Sequence, residues 1–203
     1  MTRRHASRAS IARVLRAVVL VGIGLGITAC GHSAPTRYVT LNATPAQAPL
    51  STAAMAPVQL SAVHIPAVLD RPEVVTHVAP NRLAIDDNDR WGAPLGQMMR
   101  STLAQDLLPR LPAGTFVFPD APAPAGTRTL VVTVLDCNAS AGGTLTLQVA
   151  WTLLAGQPAR TTLTQEAALS APVEGHDAAS QAAALSRVLG ELADRIAASI
   201  AVR

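Results

Sequence analysis

The chain has 203 residues, 49% of them hydrophobic and 2% aromatic, with 16 basic residues against 13 acidic ones. Every basic residue is Arg; setting aside the five nearest the N-terminus leaves 11 Arg against 13 acidic residues, a formal net of −2. That balance excludes a basic surface for nucleic acid or anionic lipid, and the length beyond those five suffices for one domain with a core.

Arg3, Arg4, Arg8, Arg13 and Arg16 form a leader without an acidic residue, followed by the uncharged, mostly apolar residues 17–29. This run is shorter than the roughly 20 apolar residues that a membrane-spanning helix needs. It has the shape of a secretory signal ending in small residues. "ITAC" at residues 27–30 resembles a bacterial lipobox. Residues 1–29 are therefore expected to be a lipoprotein signal peptide, with Cys30 as the lipidation site. A diacylglyceryl group on the thiol and a further acyl chain on the new amine would give stable anchoring. Gly31, in place of an Asp, favours the outer membrane, with the protein facing the periplasm. Residues 30–35 read as the lipid-anchored tether and residues 36–203 as a single domain. With Cys30 acylated, Cys137 has no partner in the chain and is expected to be buried and inert.

"RYVTLN" (residues 37–42) is rich in β-formers and predicts a strand. Residues 43–57 are Ala- and Pro-rich, uncharged and without period, and read as a mobile linker. "VQLSAVHIP" (residues 58–66) is a strand whose apolar members change face, so both sides are expected to be covered. "EVVTHV" (residues 73–78) and "RLAI" (residues 82–85) flank Ala79, Pro80 and Asn81, a hairpin turn in which Pro80 presets φ and Asn81 tolerates the left-handed region. A helix follows, with Leu95, Met99, Leu103 and Leu107 as its stripe. Asp89 is a candidate N-cap, while Pro94 suits the first helical position. Pro109 and Pro112 end it.

Residues 115–118 form a short strand before a Pro-rich loop. Three alternating strands follow at residues 129–137, 144–154 and 160–169, joined by hairpin-like connections. Residues 178–202 are helical, with Asp177 as N-cap and a stripe of Leu185, Leu189, Leu192, Ile196 and Ile200. Short connections between alternating strands predict a largely antiparallel sheet. The fold class is α+β, with two amphipathic helices packed on one face in a two-layer sandwich.

The charged residues concentrate in "LDRPEVVTHVAPNRLAIDDNDRWGAPL" (residues 69–95). As a calcium loop starting at Asp87 the stretch fails, because Trp91 and Met98 fall where oxygen ligands are required. The bland reading of its acids is that they flank a helix N-terminus, where negative charge is favoured. No nucleophile elbow, zinc motif, phosphate loop or dinucleotide fingerprint occurs. No enzyme activity, metal or cofactor is expected beyond the covalent lipid.

"LDRP" (residues 69–72), "PNRL" (residues 80–83) and "DRW" with the following "PL" (residues 89–91 and 94–95) are similar to the signature of the PqiC/YmbA family, auxiliary outer-membrane lipoproteins of ABC-type, MCE-linked intermembrane transport systems. "RYVTL", Asp136, Trp151 and "LADRIAASI" (residues 192–200) extend the resemblance. The chain departs from the pattern at Ala79, where Gly is common, and at Ala93, where an acidic residue is common. The resemblance implies a lipid-transport accessory that docks or stabilises a periplasmic conduit and supports membrane integrity. The implied partners are the MCE-domain conduit protein and its inner-membrane partner, outer-membrane lipids through the anchor, and a second copy of the chain. A structural or secretion-assembly lipoprotein of the cell envelope is the alternative. Two roles stand open for the charged stretch. One is a partner or oligomer interface formed by Asp70, Arg71, Arg82, Asp89 and Arg90, since Arg and Trp are enriched at interfaces. The other is a structural motif of Pro72, Pro80, Asn81, Trp91 and Pro94, with the polar groups pinning the hairpin to the helix over Trp91.

Overall fold

The computed structural model describes residues 34–46, 55–79, 81–140 and 142–201, and the unit Thr36–Arg203 carries every element discussed. Cys30, Pro80 and residues 47–54 of the expected linker lie outside the described residues. The elements in chain order are β1 (Arg37–Val39), β2 (Val58–His64), β3 (Glu73–Ala79), β4 (Arg82–Trp91), α1 (Leu95–Leu107), β5 (Phe116–Val117), β6 (Arg128–Ser140), β7 (Thr144–Ala155), β8 (Arg160–Pro172) and α2 (Ala178–Ala201).

Alternation places the core. On β7, Leu145, Leu147, Val149, Trp151 and Leu153 are buried while Thr144, Thr146 and Gln148 are exposed. This is the period-2 pattern of a strand covered on one face. On β6 the buried set is Leu130, Val132 and Val134, then Cys137 and Ala139. The phase slips because the register against β7 shifts between Val134 and Asp136. One extra residue in a bulge turns the following side chains to the other face, which leaves Leu135 50% exposed.

The strands form one mixed eight-stranded sheet, ordered β1-β4-β3-β6-β2-β5, with β7 on β6 and β8 on β7. The expectation of a largely antiparallel sheet is corrected here. β3–β4, β6–β7 and β7–β8 are antiparallel. β1–β4, β2–β5, β2–β6 and β3–β6 are parallel. Parallel strands need long crossovers. β2 and β3 intervene between β1 and β4, and α1 intervenes in the other three parallel pairs; side-chain period carries no information on strand direction.

α2 runs 24 residues. Leu185, Val188, Leu189, Leu192, Ile196 and Ile200 are each at most 2% exposed, and burying a side chain of this size contributes about 1.5–3 kcal/mol. The Ser180 N–H donates to Asp177 Oδ1 at 2.8 Å, so Asp177 caps the helix. α1 packs on α2 and on β2, and α2 packs on β7 and β8. α1 starts after Pro94, with no side-chain cap and no acidic residue in its first turn. Asp89 is therefore not its N-cap, because β4 continues through Trp91. No helix among the described residues is long and apolar enough to cross a membrane.

The start of the expected linker is anchored rather than free. The backbone N–H of Asn42 donates to Ser186 Oγ at 3.1 Å. The N–H and hydroxyl of Thr44 both donate to Asp106 Oδ1, at 2.6 and 3.1 Å. After residues 47–54, Arg128 donates to the Ala56 carbonyl at 3.1 Å.

Candidate functional site

β4 explains where the charged stretch goes. Val75 pairs with Ile85, but the next partners along the hairpin are Glu73 and Arg90. The intervening Asp86, Asp87 and Asn88 bow outward, held by Asn88 N–H donating to Asp86 Oδ1 at 2.9 Å. The chain then returns to the sheet because β1 pairs with it in parallel, Arg37 to Asp89, Tyr38 to Arg90 and Val39 to Trp91.

Alternation at this return sorts the side chains onto two faces. Trp91, 9% exposed, joins the core beside Leu69, Val75, Leu95 and Leu185. Its backbone N–H donates to the Pro72 carbonyl at 2.7 Å, so Pro72 and Trp91 tie the loop before β3 to the end of β4. Asp89, on the same face as Trp91 and 8% exposed, is sealed by a bidentate pair. Arg37 Nε donates to Oδ1 at 2.6 Å and Nη2 to Oδ2 at 2.9 Å. Asp89 beside it holds the Arg37 guanidinium above its ordinary pKa, chiefly through that hydrogen bond.

The opposite face carries Tyr38, Arg90 and Glu73 in a row across β1, β4 and β3. Arg71 Nε donates to Glu73 Oε2 at 2.9 Å, and Arg90 Nη2 lies 3.8 Å from Glu73 Oε1. The Arg71 hydrogen bond, followed by the charges of Arg71 and Arg90, keeps the Glu73 carboxyl below the usual carboxylate range. Tyr38 is 67% exposed. The arrangement is an aromatic ring beside two forked cations around one carboxylate. Tyr and Arg recur among the residues that dominate protein interfaces.

The structure therefore brings together Arg71, Arg90, Asp89, Trp91 and Pro72, and leaves two interface candidates apart. Asp70 is exposed in a turn, its N–H donating to the Ala67 carbonyl at 3.2 Å. Arg82 is exposed at the far end of the hairpin, opposite Ala79. Asn81 closes that hairpin at φ 61°, a left-handed conformation Asn tolerates. The Pro94 carbonyl accepts the Met98 N–H at 3.1 Å in the first turn of α1. Neither Asp70 nor Asp89 is the carboxylate facing Arg90; Glu73 is.

Sequence reasoning missed Arg37, Tyr38 and Glu73, since only the parallel pairing of β1 with β4 brings the first two to the stretch. It also missed a buried polar knot. Arg110, 3% exposed, donates from Nε to Asp194 Oδ1 at 2.6 Å and from Nη1 to the Asp106 carbonyl at 2.8 Å. Asp106 is fully buried, and that burial raises its pKa. The i, i+4 spacing of Asp106 and Arg110 was the available signal. Among the described residues no group of three or more His, Cys, Asp or Glu side chains is placed to hold a metal.

Residues 39–197 match the model of a family described as the ABC-type transport auxiliary lipoprotein component. The fold is similar to that of an uncharacterized protein solved by crystallography, at 20% identity and TM-score 0.63, covering 83% of this chain and 98% of that one. It is also similar to protein XCC0632 from Xanthomonas campestris, at 17% identity and TM-score 0.61, covering 79% of this chain and 91% of that one. At such identities the likeness shows the fold. No curated protein matches the chain.

Proposed function

The chain belongs to the family of ABC-type transport auxiliary lipoprotein components, and from that premise we propose that it is an outer-membrane accessory of an MCE-linked lipid transport system. In this reading Cys30 carries the lipid anchor, the domain faces the periplasm, and it docks or stabilises the conduit that carries lipid between membranes, so supporting membrane integrity. The family is that of a transport auxiliary rather than of an enzyme. Its partners are accordingly components of a transport system; the conduit protein, that protein's inner-membrane partner and a second copy of this chain are the ones proposed.

The observation that carries the reading is the row of Tyr38, Arg90, Glu73 and Arg71 on the exposed face of β1, β4 and β3. Arg71 and Arg90, which belong to the stretches that resemble the family signature, meet there, whereas Leu69, Trp91 and Leu95 of the same stretches are buried in the core. Glu73 accepts the Arg71 Nε–H, and the Asp87 carbonyl accepts the Arg90 Nε–H at 3.2 Å, so both guanidinium groups are held before a partner arrives, which lowers the ordering cost of association. The two helices are taken as one layer over the sheet, leaving the face with Tyr38 and Arg90 open to the conduit.

A photoreactive residue in place of Tyr38 tests the proposal in cells that retain the transport system. Crosslinking to the MCE-domain protein, lost on adding Arg90→Ala and Arg71→Ala, is the expected result. Crosslinks to neither that protein nor a second copy, with the fold intact, would overturn it.

A further inference from the structure

β8 is the last strand on its side of the sheet, pairing with β7 and, among the described residues, with no other strand. It is 13 residues long, whereas the terminal strands at the other ends of the sheet, β1 and β5, have 3 and 2. Short terminal strands leave few N–H and C=O groups unpaired, which is one way proteins blunt a sheet edge. β8 has no such protection. Its pairing with β7 is continuous over residues 163–171, past one irregularity beside Thr162. No Pro interrupts it before Pro172 and it contains no Lys. No turn or loop backbone among the described residues hydrogen-bonds to residues 163–171. Thr164, Gln165, Glu166, Ala168 and Ser170 are exposed, and Ala167 is half-buried.

One charge interrupts this neutral edge. Glu166 is the sole charged residue in positions 161–171. Its neighbour across β7 is Ala150, and no described side chain pairs with it. We infer that the open edge of β8 over residues 163–171 docks an extended segment of another protein as an added strand, and that this segment places a Lys or Arg opposite Glu166. Strand addition draws its affinity from main-chain hydrogen bonds and its specificity from alternate side chains. The row containing Leu163, Ala167 and Leu169 matches apolar residues, and the row containing Thr164, Glu166 and Ala168 matches polar ones around the cation. A second copy of this chain fits less well. The fullest antiparallel overlap of two β8 edges centres on Ala167 and sets Glu166 opposite the other Ala168. The two Glu166 carboxylates then lie diagonally, about 7–8 Å apart, with no cation between them. Arg160, the only cation of β8, lies beyond the irregularity. The inference does not rest on the transport reading, because the partner is defined by its chemistry alone.

The test uses the full chain in detergent micelles and the synthetic peptide Val-Thr-Val-Thr-Leu-Arg-Leu-Thr-Val, blocked at both ends, whose Arg falls opposite Glu166 when the peptide pairs antiparallel over residues 163–171. The peptide should slow hydrogen exchange of the amides in residues 163–171. Replacing its Arg by Glu should weaken binding about tenfold, the swing from an attractive to a repulsive cross-strand pair. Glu166→Lys, at an exposed position that leaves the fold intact, should reverse the order of the two peptides. Methylating alternate backbone nitrogens of the peptide should abolish binding. Three results would overturn the inference: no protection of residues 163–171, an order of affinities indifferent to residue 166, or protection without peptide that rises with protein concentration and so marks self-pairing.

Discussion

Thr44 sits against the bare backbone of Gly190: a Cβ added there would lie 1.9 Å from Thr44 Oγ1 and 2.9 Å from its Cβ. Gly costs about 1 kcal/mol against Ala in a helix interior, so its place in the middle of α2 needs a reason, and the close passage of residues 41–46 supplies one. Thr44 can reach Asp106 only by crossing α2 where no side chain stands.

Gly190→Ala should therefore destabilise the protein despite its better helix propensity, by about 1–3 kcal/mol, the usual range for overpacking. Thermal melts check this. Thr44→Gly added to Gly190→Ala should recover part of the loss, because the clashing side chain is then gone. A single variant that melts at or above wild type would show that residues 41–46 give way freely.

The Asp106 network makes a pH-dependent prediction whose sign is opposite to that of the surface acids. Burial raises the Asp106 pKa, so the folded state holds its proton more tightly than the unfolded state. Its contribution favours folding at acidic pH and declines as pH rises through the raised value. Hydrogen bonds lower the carboxyls of Glu73, Asp120 and Asp177, from Arg71, Arg100 and Ser180 respectively. Their contribution is present above the ordinary carboxylate range and lost on acidification. Asp106→Asn isolates the buried group, since the other acids are common to both proteins. The melting temperature of wild type minus that of Asp106→Asn should fall as pH rises from mildly acidic to neutral. A difference that grows over that interval would contradict the assignment.

The sequence is most legible where one side chain in two or four meets the core. The stripe of α2, its Asp177 cap and the alternation of β7 can be read directly, because period and burial report the same face. The sequence alone ends the strand carrying Asp89 at Ile85, because a run of acids reads as a loop when its tertiary support is unknown. That support is Arg37, on a strand of three residues whose parallel pairing leaves no local trace. Thr44 lies in a stretch without period or charge, and its fixation depends on Asp106 and Gly190, distant in sequence. Of the charged cluster, the contrast between the apolar face of Trp91 and the charged fork of Arg90 is accessible from side-chain type alone. The part set by partners across the sheet, Glu73 with Arg90 and Asp89 with Arg37, is not.

Cys137 lines an apolar cavity of about 30 Å³ with Trp91, Leu145 and Leu185. Burial, with a smaller contribution from the Asp136 charge, pushes its thiol up to about 12. The thiolate is the reactive form, so at mildly alkaline pH iodoacetamide should leave Cys137 unmodified in the native protein and alkylate it after unfolding. Peptide mapping by mass spectrometry distinguishes this position from Cys30. Rapid native labelling of Cys137 would mean that the wall around Trp91 opens readily.

Trp91 and Arg90 are adjacent in sequence but face opposite sides of β4, and their substitutions should separate accordingly. Trp91→Ala removes a large side chain from the contact of β4 with the core, and should cost about 3–5 kcal/mol. Assembly would then fail together with the fold. Arg90→Ala and Tyr38→Ala alter positions outside the core and should change stability by no more than about 0.5 kcal/mol. Both should nevertheless weaken assembly, because they remove the planar cation and the aromatic ring from the exposed row. Glu73→Gln adds a discriminating arm. It preserves size but weakens the ion pair with Arg71 and removes the charge facing Arg90, so weaker assembly from a folded monomer would show that the partner needs the Arg71 guanidinium held in place. Thermal melts and sedimentation of the four variants, with crosslinking to the proposed MCE-domain partner, read both properties. The surface assignment fails if Arg90→Ala, Tyr38→Ala and Glu73→Gln all assemble as wild type does. The core assignment fails if Trp91→Ala melts as wild type does.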